Sequence, residues 1–514
     1  MKKSIIKTFT FMFSAIFLAK ILGLVRNIIF ASLYGTGFEA TAFFTASRIP
    51  LQLLDMSLGA AISSTFIPIF NEFLQKDGKE RAMKFMNNFM SIIIVISLIL
   101  TLLGVIFAPQ IVNLIAPNLE PAAYGLTIEL LQILFPIMLF TAVAFVFVGF
   151  LQSLDEFNIP SIISVVANGI VILYLLLFNE KFGIKGAAIA MLIGWGTQIL
   201  VQLPVAFKKG YRPKFFIDFK DEGIKKMLIL ALPILISTWV QPINNLVNIR
   251  FASGLENGQA VSAIEYSYNL YIIIVGVFSY TLSNIIFPEL SKLTADNNKE
   301  KVKDVLKNSF SVSLLFIIPM SVGIGMLSKD IIKLIYERGE FTSESTLLTS
   351  SALMFYAIGM IGYGMMEFLN KAFYAMQDSK TPMKTSIIAI IINLGLSIGL
   401  VKVMGYTGLQ IATSITSIVI GVLMMVLVNN KINGIITKET LKEISKIILA
   451  SLVMAILIIG VQKVITGTTL ISTLLRIIVS VVGGIISYFA IVIALKNETV
   501  TTFIEKIKDK KQAR

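Results

Sequence analysis

The chain has 514 residues, of which 56% are hydrophobic and 14% charged, and its mean hydropathy is +0.84. A soluble domain of this size needs a polar surface all round, so the composition excludes one and predicts a polytopic membrane protein. Cys and His are both absent, which excludes disulfides, cysteine nucleophiles and thiolate or imidazole metal sites. We expect no metal and no cofactor.

Fourteen hydrophobic spans follow one another along the chain. Most contain the ~20 apolar residues that a helix needs to cross the hydrocarbon, and none alternates as a β-barrel strand does, so the predicted fold is all-α. The weakest boundaries are those of the second span, which Pro50 interrupts, and the stretch 329–345. The spans lie at about 8–31, 40–73, 85–108, 123–151, 159–178, 186–207, 227–250, 262–287, 310–328, 346–370, 383–403, 408–429, 446–463 and 473–495.

Lys and Arg are distributed unevenly over the loops between these spans. With a cytoplasmic N-terminus, the tails and even-numbered loops hold 32 of them, whereas the other side holds 9. Because basic loops stay in the cytoplasm, both termini are expected there. The basic loops then face anionic membrane lipids, which explains the net charge of +14 without any nucleic acid partner.

The chain also repeats itself. The stretch FIPIFNEFLQKDGKERAMKFMNNF at 66–89 resembles IFPELSKLTADNNKEKVKDVLKNSF at 286–310, and a later match places Gly405 222 residues after Gly183. Each repeat contains six spans. Because six is an even number, the two halves have the same orientation and form a parallel repeat about an axis along the membrane normal.

The repeat defines the expected domain organisation. An N-terminal six-helix lobe at 1–215 precedes a C-terminal six-helix lobe at 216–430, and residues 431–514 add two spans and a basic cytoplasmic tail. A solute site in such a protein belongs between the lobes near the membrane midplane.

Four charged residues, Lys20, Arg26, Arg48 and Asp55, lie inside the first two spans. A charge near the bilayer centre costs roughly 2.5 to 3.5 kcal/mol on insertion scales, so such residues usually face a bundle interior or a watery cavity. One interpretation is that Arg48 and Asp55, which share a helix face, neutralise one another while Lys20 reaches the interface. Three cations against one carboxylate favour a pocket for phosphate, with forked donors from the arginines.

Other polar residues suggest coupling or gating. Pro50 forms either a hinge or a simple bend, and the amides of the seventh span, including Asn248, either join helices or line a wet path. Glu265 and Glu367 are the remaining acids that could bind a coupling ion, although their positions near the span ends favour solvated side chains.

The sequence argues against an enzyme. It contains neither the GxxxxGK[ST] motif of a P-loop nor HExxH, and no nucleophile with its base can be assembled without His or Cys. A membrane glycosyltransferase needs a polar loop that carries acids, whereas the longest loop, 208–226, is basic and short. A scaffold for cell-wall enzymes has no reason to keep cations within its spans. A transporter is therefore the favoured class.

Several longer stretches resemble a known family. They are KILGLVRNIIFASLYGTGFEATAFF, RIP and FIPIF at the front, INNLVN in the seventh span, and IYERGEFTSESTLLTS and KAFYAMQDSKTP late in the chain. Together they resemble the lipid II flippases of the MurJ (MviN) family, within the multidrug and oligosaccharidyl-lipid exporter superfamily. The resemblance implies an alternating-access carrier in the bacterial cytoplasmic membrane. It flips undecaprenyl-diphosphate-linked peptidoglycan precursor outward for cell-wall biogenesis, with the headgroup in a cationic central cavity.

The resemblance also assigns substrate-binding residues. The family's first-helix arginine matches Arg26, the basic residue six positions earlier matches Lys20, and the basic residue before a proline matches Arg48. Asn269 stands where the family has an arginine in the eighth helix. Asp55 directly follows the position of a further arginine of the family.

The chain differs from some members of the family at two positions that concern ion coupling. Asn248 and Ser397 stand where those members carry acidic residues. A sodium site built from carboxylates is therefore not expected. A flippase for another polyprenyl-diphosphate oligosaccharide and a cation-coupled drug antiporter are the alternatives. Cell-wall synthesis enzymes are further expected partners.

Overall fold

The chain is helical throughout the part that the structure describes. The computed structural model describes residues 2–296, 298–432 and 434–501, without the side chains of 2–9, 52–61, 63, 64, 233, 236, 237, 240, 241, 277, 280, 284, 285 and 295. Within those ranges no β-strand occurs, so the all-α fold class is confirmed. The α-helices of these ranges are α1 (Lys2–Tyr34), α2 (Phe38–Ala61), α3 (Ile67–Lys76), α4 (Gly78–Ile106), α5 (Ala108–Ile115), α6 (Pro121–Leu134), α7 (Ile137–Ser153), α8 (Asn158–Leu177), α9 (Asn179–Lys208), α10 (Glu222–Thr238), α11 (Val240–Ala252), α12 (Gln259–Ala295), α13 (Lys299–Tyr336), α14 (Ser343–Ala375), α15 (Lys380–Met404), α16 (Thr407–Ile432), α17 (Lys438–Val464) and α18 (Leu470–Ala494).

Twelve helical segments of the described chain are long and apolar enough to cross a membrane. The predicted spans two and seven are not among them, since α2 is long enough but not apolar enough and α10 and α11 are each too short. Span two consists of α2, a π-helical turn at Ile62–Phe66 and α3, while α10 and α11 of span seven meet at Trp239. Pro50 lies within α2 without ending it. The protein is thus an integral membrane protein, and the number of fourteen spans stays a prediction.

The chain divides into two compact units, Met1–Ser262 and Ala263–Arg514. In the first unit, α1 packs against α8, α9 packs against α7 and α8, and α2 packs against α6 and α7. Its core contains a phenylalanine cluster from α4, α7 and the turn before α3. The rings of Phe66 and Phe85 stack at 5.4 Å, and Phe70 meets Phe150 edge-on at 5.6 Å. The lobe boundary near residue 215 stays a prediction.

In the second unit, α14 packs against both α13 and α16. A Cβ atom at Gly362 would stand 2.2 Å from the backbone of Ser417, so only glycine permits this close helix approach. The hydroxyls of Ser414 and Ser417 donate across the interface to the carbonyls of Phe355 (2.7 Å) and Gly359 (3.1 Å). These contacts join α14 and α16 along several turns.

The last two helices, α17 and α18, pack against one another and against α13. Arg476 Nη2 lies 2.5 Å from Asp330 Oδ1 in a pair whose side chains are only 14% and 8% exposed. Further along α18, the Tyr488 hydroxyl donates to the Leu315 carbonyl at 2.6 Å. The additional helices are therefore attached to α13 by polar contacts as well as by apolar packing.

The internal repeat is visible in the backbone. Gly183 and Gly405 have positive φ angles of 56° and 60°, and Asp155 and Gln377, which lie just after α7 and α14, both have φ of 58°. Positive φ is uncommon for residues other than glycine. Both pairs are separated by the spacing of the sequence repeat, so equivalent positions in the two units have the same positive-φ backbone.

Candidate functional site

The first predicted cations lie on α1. The Arg26 side chain is half-buried, and its Nε and Nη2 donate to Asn27 Oδ1 at 3.4 and 3.1 Å. Lys20 is exposed. On another face of this helix, Asn168 Nδ2 of α8 donates to the Ala19 carbonyl at 3.4 Å. Helix α8 therefore contacts α1 next to Lys20.

The next predicted residues lie on α2. Arg48 is only 6% exposed, and Pro50 is also buried. The side chain of Asp55 lies outside the described residues, so its pairing with Arg48 stays a prediction. Charged residues are almost never buried unless they are paired or serve a ligand, and Arg48 is such a buried charge.

The antiparallel hairpin of α1 and α2 sets the height of the two arginines. The Phe30 ring lies 4.8 Å from the Phe43 ring and 5.3 Å from the Phe44 ring, measured between centroids. Arg26 precedes Phe30 by four residues and Arg48 follows Phe44 by four, which is about one turn or ~6 Å in each helix. The arginines therefore lie at one level of the hairpin, on the faces that carry the contacting rings.

A hydrogen-bond network joins the α1–α2 connection to the beginning of α12. We call it the hairpin network. It was not predicted, because its members are more than 200 residues apart in sequence. The only local signal was the presence of two of its threonines within the motif GTGFEATAFF. Thr36 Oγ1 donates to Gln259 Oε1 (2.8 Å), Thr41 Oγ1 donates to the Gly258 carbonyl (2.9 Å) and lies 3.0 Å from Ser262 Oγ, and Ser262 Oγ donates to the Thr36 carbonyl (2.9 Å).

In the second unit, Glu265 and Asn269 form a pair on α12. Asn269 Nδ2 donates to Glu265 Oε1 at 3.1 Å. The expectation of a solvated Glu265 is wrong, since this residue is only 7% exposed; a hydrogen bond from the amide partly replaces the lost water. Glu367 on α14 is half-buried. The burial of Glu265 was not predicted from its position in the sequence, because the predicted apolar span begins at residue 262 whereas α12 begins at Gln259.

Buried neutral polar groups occupy the positions at which some family members carry acids. Asn248 of α11 is 3% exposed and its Oδ1 accepts no hydrogen bond from the described residues. Ser397 and Asn393 of α15 are fully buried, and Asn393 Nδ2 donates to Thr413 Oγ1 at 3.4 Å. Among the described residues, no three His, Cys, Asp or Glu side chains cluster as metal ligands. The side chains at these positions therefore offer amide and hydroxyl oxygens in place of carboxylates.

Comparison with known proteins identifies the family. The family model described as lipid II flippase MurJ matches residues 30–480. The chain belongs to the MurJ family. Among relatives named probable lipid II flippase MurJ, the Vibrio cholerae protein is 30% identical, with 78% of each chain covered. The Bdellovibrio bacteriovorus protein is 26% identical, over 97% of this chain and 96% of its own.

Solved structures agree with the family. A lipid II flippase MurJ in an inward closed conformation has a TM-score of 0.81 and 27% identity, with 93% of this chain and 97% of that chain covered. An inward-facing multidrug resistance MATE family transporter has a TM-score of 0.69 at 16% identity, with 81% and 95% covered. The MATE match shows the fold alone. The chain thus shares its fold with this MurJ structure and with this MATE transporter.

Proposed function

We propose that this MurJ-family chain is a transporter, not an enzyme, and that it flips lipid II by alternating access. Lipid II is the undecaprenyl-diphosphate-linked peptidoglycan precursor of the cell wall. The observation that carries the proposal is the burial of Arg48, level with Arg26, within the membrane helices of a chain from this family. A diphosphate is the part of the cargo that such a pair recognises.

The chemistry of the arginines suits a diphosphate. Guanidinium groups present planar forks of N–H donors that match two phosphate oxygens at once. Arg48 is 6% exposed, so a phosphate bound to it would be largely removed from water. Charge-assisted hydrogen bonds are stronger in such a buried environment than in water. Lys20, six residues before Arg26 and exposed, supplies a mobile point charge. Asp55 and Asn269 are proposed to contact the neutral parts of the headgroup.

The hairpin network is proposed to close the outer end of the transport path. Thr41 and Arg48 are seven residues apart on one face of α2, so the network lies about 10 Å from the arginine level. Thr41 bonds to Ser262, on the opposite side of the network, at 3.0 Å. Outward opening must break these bonds and those of Gln259. Neutral hydrogen bonds contribute only about 1 kcal/mol each, so the closure is reversible.

The remaining predicted residues keep proposed roles in coupling or gating. Pro50 lies two residues after Arg48 and can act as a pivot, because proline removes one helical hydrogen bond. Glu265, buried beside Asn269, and the half-buried Glu367 are the acids that a coupling cation could reach. Asn248 offers a buried amide oxygen.

The excess of Lys and Arg in the even-numbered loops supports a bacterial cytoplasmic membrane location with both termini in the cytoplasm. In that orientation the hairpin network faces outward. Cell-wall synthesis enzymes that use lipid II are the proposed protein partners, and membrane lipids surround the spans.

Complementation tests the proposal. The full chain is expressed in a bacterium whose own lipid II flippase is depleted, and its amount in the membrane is measured. We expect growth and cell shape to be restored. Lysis despite normal membrane levels contradicts lipid II as the cargo and favours another polyprenyl-diphosphate oligosaccharide.

A further inference from the structure

The connection between α9 and α10 is held against the first unit in an extended form. Residues 211–218 are not helical, and we call 211–219 the strap. Alternate backbone N–H groups of the strap donate to polar side chains of α4. Groups that point to one side at every second residue are typical of an extended chain. The pairs are Lys214 with Asn87 Oδ1 (3.0 Å), Phe216 with Ser91 Oγ (3.3 Å) and Asp218 with Asn88 Oδ1 (2.8 Å).

Both ends of the strap are also fixed. At its beginning Tyr211 is 5% exposed, and its ring meets the Phe147 ring edge-on at 5.3 Å. Just beyond its end Asp221 accepts hydrogen bonds from the first turn of α10 and pairs with Arg81 Nη2 at 2.9 Å. These contacts hold the strap in one register against α4.

The outward face of the strap is apolar. Phe215 is 71%, Ile217 39% and Phe219 59% exposed. Three bulky apolar side chains at every second residue form one continuous face of an extended chain. An exposed apolar face of this kind marks an interaction site.

The strap lies at the edge of the apolar belt of the first unit. Exposed large apolar residues on α4 begin at Ile96, five residues or about 7.5 Å beyond the strap contact at Ser91. On α10 they begin at Leu228, nine residues after Phe219. Non-helical backbone near hydrocarbon needs its donors satisfied by protein, which explains why α4 carries Asn87, Asn88 and Ser91 there.

The charges around this face are mainly positive. Lys208, Lys214, Lys220 and Lys225 are exposed and make no ion pair with another described residue. Asp221 is already engaged by Arg81. Aromatic and aliphatic side chains next to unpaired lysines are the composition of segments that lie in the interface of an anionic membrane.

We propose that the strap is an interfacial anchor for anionic phospholipid. Phe215, Ile217 and Phe219 lie among the glycerol and upper acyl groups, while Lys214 and Lys220 bind headgroup phosphates. The strap thereby ties the connection between the two predicted lobes to the lipid composition of one leaflet. This role is independent of the transported cargo.

Site-specific fluorescence tests the anchor in the full chain. Because the protein contains no cysteine, single variants F215C, I217C and F219C can each carry one environment-sensitive label. K76C is the matched control, since the Lys76 side chain is 71% exposed on a short helix outside the strap. Each protein is placed in nanodiscs of phosphatidylcholine alone or with phosphatidylglycerol, and is quenched with either aqueous iodide or a bilayer-resident doxyl lipid.

We expect the strap labels to be quenched several-fold more by the doxyl lipid than by iodide, and the control label to show the reverse. Phosphatidylglycerol should increase doxyl quenching in the strap, and K214Q/K220Q should abolish that increase. Equal iodide quenching at strap and control positions overturns the anchor. So does a phosphatidylglycerol effect that persists in K214Q/K220Q or that soluble inorganic phosphate reproduces. None of these readouts depends on lipid II transport.

Discussion

At the scale of single residues, Arg48 is a cation that the fold removes from water. It is a cation with 6% exposure on a helix that also carries the buried Pro50. A charge that is buried without a partner is destabilising, so a protein keeps a buried cation when a ligand or a neighbouring group binds it. In the proposed mechanism the ligand is the diphosphate, and the fork of the guanidinium matters as much as its charge.

Replacement of Arg48 tests this distinction. A hydrogen bond to a charged group contributes about 1.5 to 3 kcal/mol, so R48A should lower transport by roughly tenfold or more. R48K should retain only part of it, because ammonium offers a point charge. Transport is scored as the expression level needed to rescue flippase-depleted cells. K402A, at an exposed lysine of α15, is the control, and equal rescue by R48A and K402A contradicts the role.

A second residue-scale prediction concerns Asp378, between α14 and α15. Burial alone would raise the pKa of this carboxyl, but hydrogen bonds from Lys431 (2.8 Å) and Thr381 outweigh it and lower the pKa. A lowered pKa stabilises the fold above the unfolded-state pKa, and the stabilisation is lost as the pH falls through the folded-state pKa. The stability deficit of D378N, measured by unfolding in detergent, should therefore persist at neutral pH. It should shrink only below about pH 4. A deficit that disappears near neutral pH contradicts this assignment.

At the scale of helices, the proposed closure of the transport path by the hairpin network can be tested by cross-linking α2 to α12. Two hydroxyl oxygens 3.0 Å apart are close enough for cysteines at Thr41 and Ser262 to form a disulfide of about 2.05 Å. Oxidised T41C/S262C should stop transport, and reductant should restore it in the same cells. The single variants T41C and S262C, given the same oxidant, are the controls. Continued transport by the cross-linked protein rules out opening at this end.

The attachment of α17 and α18 gives another helix-scale prediction. Breaking a buried ion pair costs about 3 to 5 kcal/mol, so R476A should clearly lower the thermal unfolding midpoint in detergent. The control is K185A, which breaks a pair with Glu129 whose side chains are 57% and 54% exposed. Such surface pairs contribute about 1 kcal/mol or less. Equal shifts in the two variants contradict a structural role for the Arg476–Asp330 pair.

The helices also show what the sequence can predict. Apolar length is a local property, so hydropathy located most spans and the cations within them. The π-helical turn at Ile62–Phe66 was not predicted from the sequence; it packs closely against α7, where a Cβ at Gly149 would stand 2.6 Å from Ile62 Cγ2. The hairpin network was not predicted because its partners Thr41 and Ser262 come together only in the fold.

At the scale of the whole molecule, exposed apolar residues on many helices accompany the buried cation Arg48 on α2. The positive-φ turns at matched positions in both units support duplication of a six-helix element. In the proposed function, the burial of Arg48 supports a phosphate-binding carrier over a scaffold. Family membership supports lipid II as the cargo, and the proposal is that the arginines hold its diphosphate.

The most direct measurement compares lipid II exposure at the cell surface. Flippase-depleted cells express either the unaltered chain or R26A/R48A at equal membrane levels, and outward-facing headgroups are counted with a membrane-impermeant label. The proposed mechanism predicts that the unaltered chain restores surface lipid II and that the double variant leaves it near the depleted level. Equal surface lipid II in the two strains would contradict a cationic headgroup pocket.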